Sequence, residues 1–548
     1  MFAKRLALLR ACLGTLALIS LGTFPAIGQS VQSARPSDTT YYQPRRPQFH
    51  FSTKQNWLGK PTGLLYHKGE YHLFFQYNPQ GAKQEHISWG HAVSKDLQRW
   101  QELAPVITED SVMAFSGSCV IDRKNTAGFG RNAMVAIYTA HQKGNQSQHL
   151  AYSLDRGRTF KKYTFNPVLD VNRADFSDPH VFWWKDLKRW VMTVALPNDQ
   201  RVHFYQSKNL RNWVSAGSIS APNPAMGQWE SPALINVSSW VHQLRLSPEL
   251  GGGTLGNVVI MKGGRAFDNQ SLARRWVLLV SVSSGAPSGG SGVQYFVGTF
   301  NGDQFMPQDN KTRWLDYGTD FYGAIPVNKP EENGAAYPVI MGWMNNREYA
   351  DNLPTASFRS SLTLPRRLKI NPEKDGTYSL LQIPDCLCPI PKGDSITIRS
   401  TNTTELSQRV GAFLAGSTSY MLSIKARALD HAVHLRTGSG QEETVVRFDS
   451  VAKAMVIDRS HSGAMITNPA FATEARAPFE PIRNSPNTPG VLFYQIYVDR
   501  SSVEVFGSSA TCKLTSLIFP GEQSNGLSFA GHGVYEVSVR RIHSNTAD

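Results

Sequence analysis

Short strand patterns that end in polar turns follow one another along most of this 548-residue chain. In the clearest example, an apolar segment at 63–67 and an alternating segment at 71–77 are separated by the turn-forming pair Lys68 and Gly69. Similar pairs recur at 134–138 with 149–153 and at 180–184 with 190–195. Helical periodicity is nearly absent, which excludes folds built mainly from helices.

A second repeating element closes several of these units. Residues 94–100 read Ser-Lys-Asp-Leu-Gln-Arg-Trp, residues 207–213 read Ser-Lys-Asn-Leu-Arg-Asn-Trp, and looser copies stand at 153–160 and 299–305. Each copy reads as a strand end, a polar turn and an aromatic residue. Repeats of about 50 residues or more, built from four short strands, are typical of a β-propeller. The number of units between residues 48 and 370 favours five blades.

The C-terminal part has a different β pattern. Three prolines cluster with a pair of cysteines between residues 384 and 391, which indicates a linker, and alternating runs such as 494–499 and 502–506 follow it. Such runs are typical of a β-sandwich. The sequence therefore predicts an all-β protein, a five-bladed β-propeller followed by a C-terminal β-sandwich. The predicted parts are a signal peptide at 1–28, an N-terminal lead-in at 29–47, the propeller at 48–380, a linker at 381–394 and the sandwich at 395–548.

The N-terminus has the three-part layout of a secretory signal. Basic residues at positions 4, 5 and 10 precede an apolar run from residue 13 to residue 24, and small residues follow at Ala26 and Gly28. The run is too short to span a membrane comfortably. We therefore expect a secreted, extracellular protein that has no membrane contact after signal removal. Five Asn-X-Ser/Thr triplets fit a glycoprotein, at Asn145, Asn236, Asn269, Asn310 and Asn402.

Composition, cysteines and absent motifs narrow the function classes. With 41% hydrophobic and 11% aromatic residues the chain is not disordered. The net charge is +14, but the basic residues are scattered, so no nucleic-acid partner is expected. Four cysteines remain after the signal, and we expect one or two disulfides whose pairing the sequence leaves open. The chain has no Walker loop and no metalloprotease or hydrolase-elbow motif, so neither a cofactor nor a metal is expected.

Two carboxylates stand where apolar runs begin, flanked by proline and aromatic residues. Asp178 lies in Phe-Ser-Asp-Pro-His and Glu230 in Gln-Trp-Glu-Ser-Pro. Burial beside Trp229 would raise the pKa of a carboxyl group, as a general acid needs. A turn carboxylate that caps a hairpin is the alternative, and composition alone favours that alternative.

Longer motifs give a more specific indication. They are His-Phe-Ser-Thr-Lys-Gln-Asn-Trp at 50–57, His-Leu-Phe-Phe-Gln-Tyr-Asn-Pro at 72–79, Ile-Ser-Trp-Gly-His-Ala at 87–92, Phe-Ser-Gly-Ser at 115–118, Gly-Trp-Met-Asn-Asn at 342–346 and Val-Asp-Arg-Ser-Ser-Val-Glu-Val-Phe at 498–506. On these motifs the mature chain resembles glycoside hydrolase family 32, the β-fructofuranosidases, and most of all the fungal exo-inulinases. The resemblance implies a five-bladed propeller with a C-terminal sandwich, and a terminal fructosyl unit of inulin, levan or sucrose as substrate.

The resemblance also implies roles for individual residues. The family cleaves fructosyl linkages with retention, using a nucleophile, an acid/base and a transition-state stabiliser, and a pair of carboxyl groups about 5–5.5 Å apart suits such chemistry. Matching motifs place the acid/base at Glu230 and the stabiliser at Asp178. Matching sugar-contacting positions are Trp57, Gln76, Phe115, Ser116 and Trp343.

The nucleophile position departs from the family, because Lys60 stands there. A lysine ammonium has no lone pair with which to attack, and we expect it to pair with Asp178 or Glu230 instead. Other family residues are also replaced, at Gly59, Thr62, Gln84, Ser177 and Ser231. We therefore expect a pseudoenzyme whose ordinary hydrolysis is lost or strongly reduced. The alternatives are a non-catalytic fructoside-binding or interaction protein on the same scaffold, or a new nucleophile at Asp175, Glu109 or Asp110.

Overall fold

The protein was studied as a computed structural model that describes residues 42–142, 144–220, 226–238, 274–330, 336–385, 394–427, 430–482 and 490–543. The predicted signal peptide, most of the lead-in and most of the linker lie outside these residues. In the part of the chain that is described, no helix has the length and apolar character needed to cross a membrane.

Five sheets make up the N-terminal part, and each is built mainly from strands that follow one another in the chain. The first contains β1 (Asn56–His67), β2 (Glu70–Asn78), β3 (Ser88–Ser94) and β4 (Trp100–Ile107); the second β5 (Met113–Asp122), β6 (Ala133–Gln142), β7 (Asn145–Ser153), β8 (Lys161–Lys162) and β9 (Leu169–Arg173); the third β10 (Ser177–Trp184), β11 (Arg189–Leu196), β12 (Arg201–Ser207) and β13 (Val214–Ser220). The fourth contains β14 (Trp229–Ser238), β15 (Arg274–Val282), β16 (Gly292–Phe300) and β17 (Phe305–Pro307), and the fifth β18 (Tyr322–Pro330), β19 (Ala336–Met344), β21 (Ser361–Leu362), β22 (Arg366–Pro372) and β23 (Tyr378–Pro384).

The first strands of the five sheets form a closed ring. Strands β1, β5, β10, β14 and β18 each contact the next in this order, and β18 contacts β1. The short strand β20 (Phe358–Arg359), which follows the fifth sheet's second strand, pairs in parallel with the start of β1. It thereby joins the end of the ring to its beginning. The N-terminal part is the predicted five-bladed propeller.

Local turn chemistry explains the hairpins inside each blade. Lys68 and Gly69 both have positive φ, 48° and 91°, as a two-residue turn of type I′ requires between β1 and β2. The two other predicted pairs are also present. In the register, Met134 lies opposite Ser153 in β6 and β7, and His180 lies opposite Thr193 in β10 and β11.

The repeated polar turns also have a common structure. In the first copy, Asp96 Oδ1 accepts hydrogen bonds from the backbone N–H groups of Gln98 and Arg99, and the Trp100 indole donates to the Leu97 carbonyl. In the second copy, Asn209 Oδ1 accepts hydrogen bonds from the backbone N–H groups of Arg211 and Asn212. The Trp213 indole donates to the Leu210 carbonyl. Leu97 has a φ of 69° and Leu210 a φ of 61°, so the two turns share a left-handed residue as well. In both copies the tryptophan side chain thus forms a hydrogen bond with the backbone of the turn that precedes it.

The C-terminal part is the predicted sandwich of two antiparallel sheets. One contains β24 (Ser395–Ser400), β25 (Tyr420–Arg427), β30 (Leu492–Asp499), β31 (Ser502–Gly507), β32 (Lys513–Leu517) and β34 (Val534–Arg541), and the other β26 (His431–Thr437), β27 (Glu443–Asp449), β28 (Ala454–His461), β29 (Glu474–Pro478) and β33 (Gly526–Gly531). The helix α1 (Thr403–Leu414) packs Leu406, Val410 and Leu414 into the same core. Short 3₁₀ segments lie at Ala350–Asn352 and Ser439–Gln441.

Buried ion pairs join the propeller to the sandwich. The imidazole of His50 lies 2.9 Å from Asp499 Oδ2 through Nδ1 and 2.8 Å from Glu504 Oε1 through Nε2, and all three side chains are fully buried. Arg366 extends this network, because its guanidinium binds Glu504 at 2.7 Å and Asp316 at 2.8 Å. A separate pair joins Arg459 to Asp320 at 2.8 Å. These contacts hold sandwich strands against propeller residues without solvent between them.

The expected disulfides are not found where they can be checked. Cys119 in β5 and Cys512 before β32 are both free and buried. The prediction is therefore wrong for these two, since the fold places each thiol inside an apolar core. Burial raises the pKa of Cys512 to about 12, so this thiol is inert at neutral pH. Cys386 and Cys388 lie outside the described residues.

Candidate active site

A cavity of about 280 Å³ opens among the five sheets, and all five contribute to its lining. Lys60 of β1 lies beside Asp178 of β10 and Glu230 of β14, and Phe115 of β5 and Tyr322 of β18 complete the circle. Because the innermost strands of a propeller converge on its axis, residues far apart in the chain meet here.

Each innermost strand is irregular where it meets this cavity. The register shifts fall next to Leu58 and Pro61 in β1, Ala114 in β5, Ser177 in β10, Glu230 in β14 and Tyr322 in β18. Asp178 and Ser231 also have positive φ, 59° and 48°, which residues other than glycine rarely adopt. Bulges near active sites turn side chains in new directions. The irregularities in these five strands account for the side chains that converge on the cavity.

An ion-paired cluster fills the floor of the cavity. Lys60 Nζ donates to Asp178 Oδ2 at 2.7 Å and to Glu230 Oε2 at 3.0 Å, and the three side chains are 10%, 6% and 12% exposed. Asp178 Oδ2 also accepts from the backbone N–H and the hydroxyl of Ser231, both at 2.9 Å. The pairing expected for Lys60 is therefore present with both carboxylates.

Burial and pairing act on these charges in opposite directions. Burial disfavours the charge on Asp178, but the Lys60 ammonium and the Ser231 donors outweigh it and lower the pKa of Asp178. Burial also lowers the pKa of Lys60, and the neighbouring Asp178 only partly offsets that effect. The carboxylate is thus held in its ionised form at neutral pH.

Four of the five predicted sugar-contacting residues line the cavity. These are Trp57, Gln76, Phe115 and Trp343; Ser116 is buried beside Phe115 but does not reach the lining. Among the buried polar atoms without a hydrogen-bond partner are Trp57 Nε1, Gln76 Oε1 and Ser116 Oγ. Buried polar groups normally find partners, so at the lining a ligand or ordered water has an unmet donor on Trp57 and an unmet acceptor on Gln76 to satisfy.

The alternative nucleophiles are engaged elsewhere. Asp175 lines the cavity, but the Arg173 guanidinium binds it at 2.8 Å. Glu109 pairs with His86 and Asp110 with Lys162, and neither lines the cavity. Within the described ranges no group of three or more His, Cys, Asp or Glu side chains is arranged to hold a metal ion.

Comparison with known families shows to which family the chain belongs. The model of the glycosyl hydrolases family 32 N-terminal domain matches residues 50–384, and that of the family 32 C-terminal region matches residues 392–544. The chain belongs to glycosyl hydrolase family 32. The family resemblance drawn from the sequence motifs is thereby confirmed.

Several family 32 proteins match this chain over nearly its full length. The levanase of Bacillus subtilis (strain 168) is 36% identical over 529 residues, which cover 93% of this chain and 72% of the levanase. The extracellular exo-inulinase of Aspergillus awamori is 33% identical over 548 residues, 91% of this chain and 94% of the inulinase. The crystal structure of exo-inulinase from Aspergillus awamori superposes with a TM-score of 0.76 at 31% identity, covering 92% of this chain and 99% of that one. The structure of the fructofuranosidase from Schwanniomyces occidentalis complexed with fructose superposes with a TM-score of 0.76 at 28% identity. The match covers 93% of this chain and 100% of that chain.

Two further residues of this candidate site were not found from the sequence. The Tyr322 hydroxyl donates to Glu230 Oε2 at 2.9 Å, and the Arg347 guanidinium forms an ion pair with Glu230 Oε1. Both residues line the cavity. Arg347 directly follows the motif at 342–346 that supports the resemblance, and this position is the one signal in the sequence that could have identified it.

Proposed function

We propose that this family 32 protein is secreted and binds terminal β-fructofuranosyl units of inulin, levan or sucrose, but has lost ordinary hydrolysis. The observation that carries the proposal is the position of the Lys60 ammonium, which lies between the carboxylates of Asp178 and Glu230. Curated fungal relatives are named extracellular exo-inulinases, which supports both the carbohydrate ligand and the location.

Loss of hydrolysis follows from the charge at position 60. Retaining hydrolysis needs a carboxylate that attacks the anomeric carbon while a general acid protonates the leaving oxygen. A protonated lysine offers no electron pair, and its charge opposes the positive charge that develops on the sugar ring. Reversing one unit charge about 4 Å away changes the interaction by about 8 kcal/mol at an effective dielectric constant of about 20. A loss of that size lowers a rate by several powers of ten.

Retained binding is supported by the rest of the cavity. Its volume of about 280 Å³ is close to the lower end of the range of about 300–1,000 Å³ for ligand sites, which suits a single sugar ring. Trp57 and Trp343 form an edge-to-face pair with ring centres 6.0 Å apart, and the unpartnered atoms Trp57 Nε1 and Gln76 Oε1 belong to residues of the same lining. Aromatic faces together with a few polar groups are what a sugar needs.

Fructose release tests the catalytic half of the proposal. Purified protein is incubated with sucrose, inulin and levan beside the exo-inulinase of Aspergillus awamori as positive control. We expect no release above background, because the covalent step lacks its carboxylate. Release at rates comparable with the control would refute the proposal.

Calorimetry with short fructo-oligosaccharides tests the binding half. We expect measurable heat at millimolar ligand, and no heat with maltotriose, a glucose trimer of similar size. Gln76→Leu removes one unpartnered acceptor, Oε1, and should weaken binding about tenfold, the effect of one lost polar contact of about 1.4 kcal/mol. Absence of heat with every fructoside would show that the cavity is not a sugar site.

A further inference from the structure

Glu230 is held by three groups at once, and two of them are cations. Lys60 Nζ and the Tyr322 hydroxyl donate to its Oε2, and the Arg347 guanidinium forms an ion pair with its Oε1. A general acid must carry a proton when the leaving group departs. Donors of this kind instead stabilise the ionised carboxylate, and cationic donors do so most strongly.

Lys60 and Arg347 reach Glu230 from different sheets of the propeller. Lys60 belongs to β1, while Arg347 follows β19, and each contacts a different oxygen of the carboxylate. Arg347 is anchored independently of Lys60, because its backbone N–H donates to Ser291 Oγ at 3.0 Å. Removal of Lys60 therefore leaves the contact between Arg347 and Glu230 in place.

We propose that Arg347 is a second, independent obstacle to hydrolysis, a positioning residue that keeps Glu230 ionised so that it cannot protonate a leaving group. This inference rests on the proposed loss of hydrolysis and deepens it. Restoring a carboxylate with Lys60→Asp is then not sufficient. Glycoside cleavage needs two events: a carboxylate oxygen at position 60 forms a bond to the anomeric carbon, and the leaving oxygen takes the Glu230 proton as its bond to that carbon breaks.

Two substrates separate these two events. The alkoxide that leaves from sucrose needs a proton, whereas the nitrophenolate that leaves from a nitrophenyl β-fructofuranoside is stable without one. We expect Lys60→Asp to cleave the nitrophenyl fructoside but to release almost no fructose from sucrose. The double variant Lys60→Asp with Arg347→Gln should hydrolyse sucrose at least about tenfold faster than Lys60→Asp, a modest part of the 10²–10⁴-fold effect of general acids. The two variants should cleave the nitrophenyl substrate within about threefold of each other.

A pH profile gives a readout that a purely structural role would not change. In the double variant the alkaline limb of kcat/KM for sucrose should lie at higher pH than in Lys60→Asp, because Glu230 keeps its proton longer once the guanidinium is gone. Arg158→Gln is the matched control in the Lys60→Asp background. Arg158 is 40% exposed against 41% for Arg347, and it pairs with Glu70 at 2.9 Å outside the cavity. It should change neither the sucrose rate nor the profile.

The outcomes distinguish the two proposals. If Lys60→Asp alone hydrolyses sucrose as fast as the double variant, Arg347 is not an obstacle and the inference is wrong, while the proposed function stands. If neither variant releases nitrophenol, the site lacks more than these two groups, and the inference is likewise wrong. Family-like hydrolysis by the unmodified protein would overturn the proposed function itself. Circular dichroism and melting curves for each variant establish that the chains are folded.

Discussion

Replacing His50 with glutamine should remove a pH-dependent part of the contact between propeller and sandwich. Burial by itself lowers the pKa of an imidazole, but the hydrogen bonds and charges of Asp499 and Glu504 outweigh it and raise the pKa of His50 to about 9. At neutral pH the folded protein therefore holds a buried imidazolium between two carboxylates. Breaking such a pair costs about 3–5 kcal/mol of unfolding free energy.

The pH dependence has a definite sign and size. A pKa raised from 6.5 to about 9 contributes about 3 kcal/mol of stability, since each pKa unit is worth about 1.4 kcal/mol. Because the folded state binds the proton more tightly, this contribution is complete below pH 6.5 and is lost as the pH rises through about 9. About 2 kcal/mol of the loss falls between pH 7 and pH 9. The pKa values of Asp499 and Glu504 are lowered, so their contribution is lost only in acid, below about pH 4.

Urea unfolding at pH 7 and pH 9 measures the contribution of His50 when the unmodified protein is compared with His50→Gln. The pH dependence of the unmodified protein alone is not informative, because Lys513 also titrates in this range. Burial lowers the pKa of Lys513 to about 8, so the contribution of Lys513 to stability rises with pH. We expect the unmodified protein to lose about 2 kcal/mol more than His50→Gln between the two pH values. His180→Gln is the control: burial lowers the pKa of His180 to about 4, so this residue does not titrate in the folded state over that range. Equal losses in the unmodified protein and His50→Gln would refute the reasoning.

Three further predictions concern local structure. Asn402→Ala should cost about 1 kcal/mol in urea unfolding, because the Asn402 side chain caps two N–H groups of α1. Gly117→Ala should destabilise by about 1–3 kcal/mol, since a Cβ there would clash with the Ile137 carbonyl, whereas Gly411→Ala has free space in the helix and should stabilise by up to about 1 kcal/mol. Cys119 should not react with a thiol reagent at pH 7 until urea unfolds the chain, because burial raises its pKa; reaction in the native protein would contradict the assigned burial.

The blades could be predicted because their determinants are local. The hairpin at Lys68 and Gly69 needs only two residues with positive φ, and the pairing of Met134 with Ser153 follows from alternation on either side of a short turn. The prediction of disulfides was wrong for Cys119 and Cys512 for the opposite reason. Whether two cysteines meet depends on the whole fold, and sequence spacing says nothing about it.

The site could be predicted only as far as its residues fall inside known motifs. Lys60, Asp178 and Glu230 were placed together by resemblance, and the observed ion pairs agree with that placement. The contact of Arg347 with Glu230 joins two blades across the cavity, and no local pattern encodes it. Some residues of the motifs that support the resemblance have a structural position and do not line the cavity. His50 and Asp499, both in motifs that support the resemblance, bind each other at the contact between propeller and sandwich and lie outside the cavity that Lys60 lines.

The buried ion pairs between the two parts have a consequence for modular exchange. Arg366 and Asp320 of the propeller obtain charged partners from the sandwich, and Asp316 accepts a hydrogen bond from the sandwich hydroxyl of Thr515. A recombinant propeller that ended at residue 385 would leave Asp320 without its arginine partner and Arg366 with Asp316 but without Glu504. A chimaera with the sandwich of another protein would have to bring equivalents of Glu504 and Arg459 at the same positions. We therefore expect that the propeller and the sandwich can be exchanged only together, even though each has a hydrophobic core of its own.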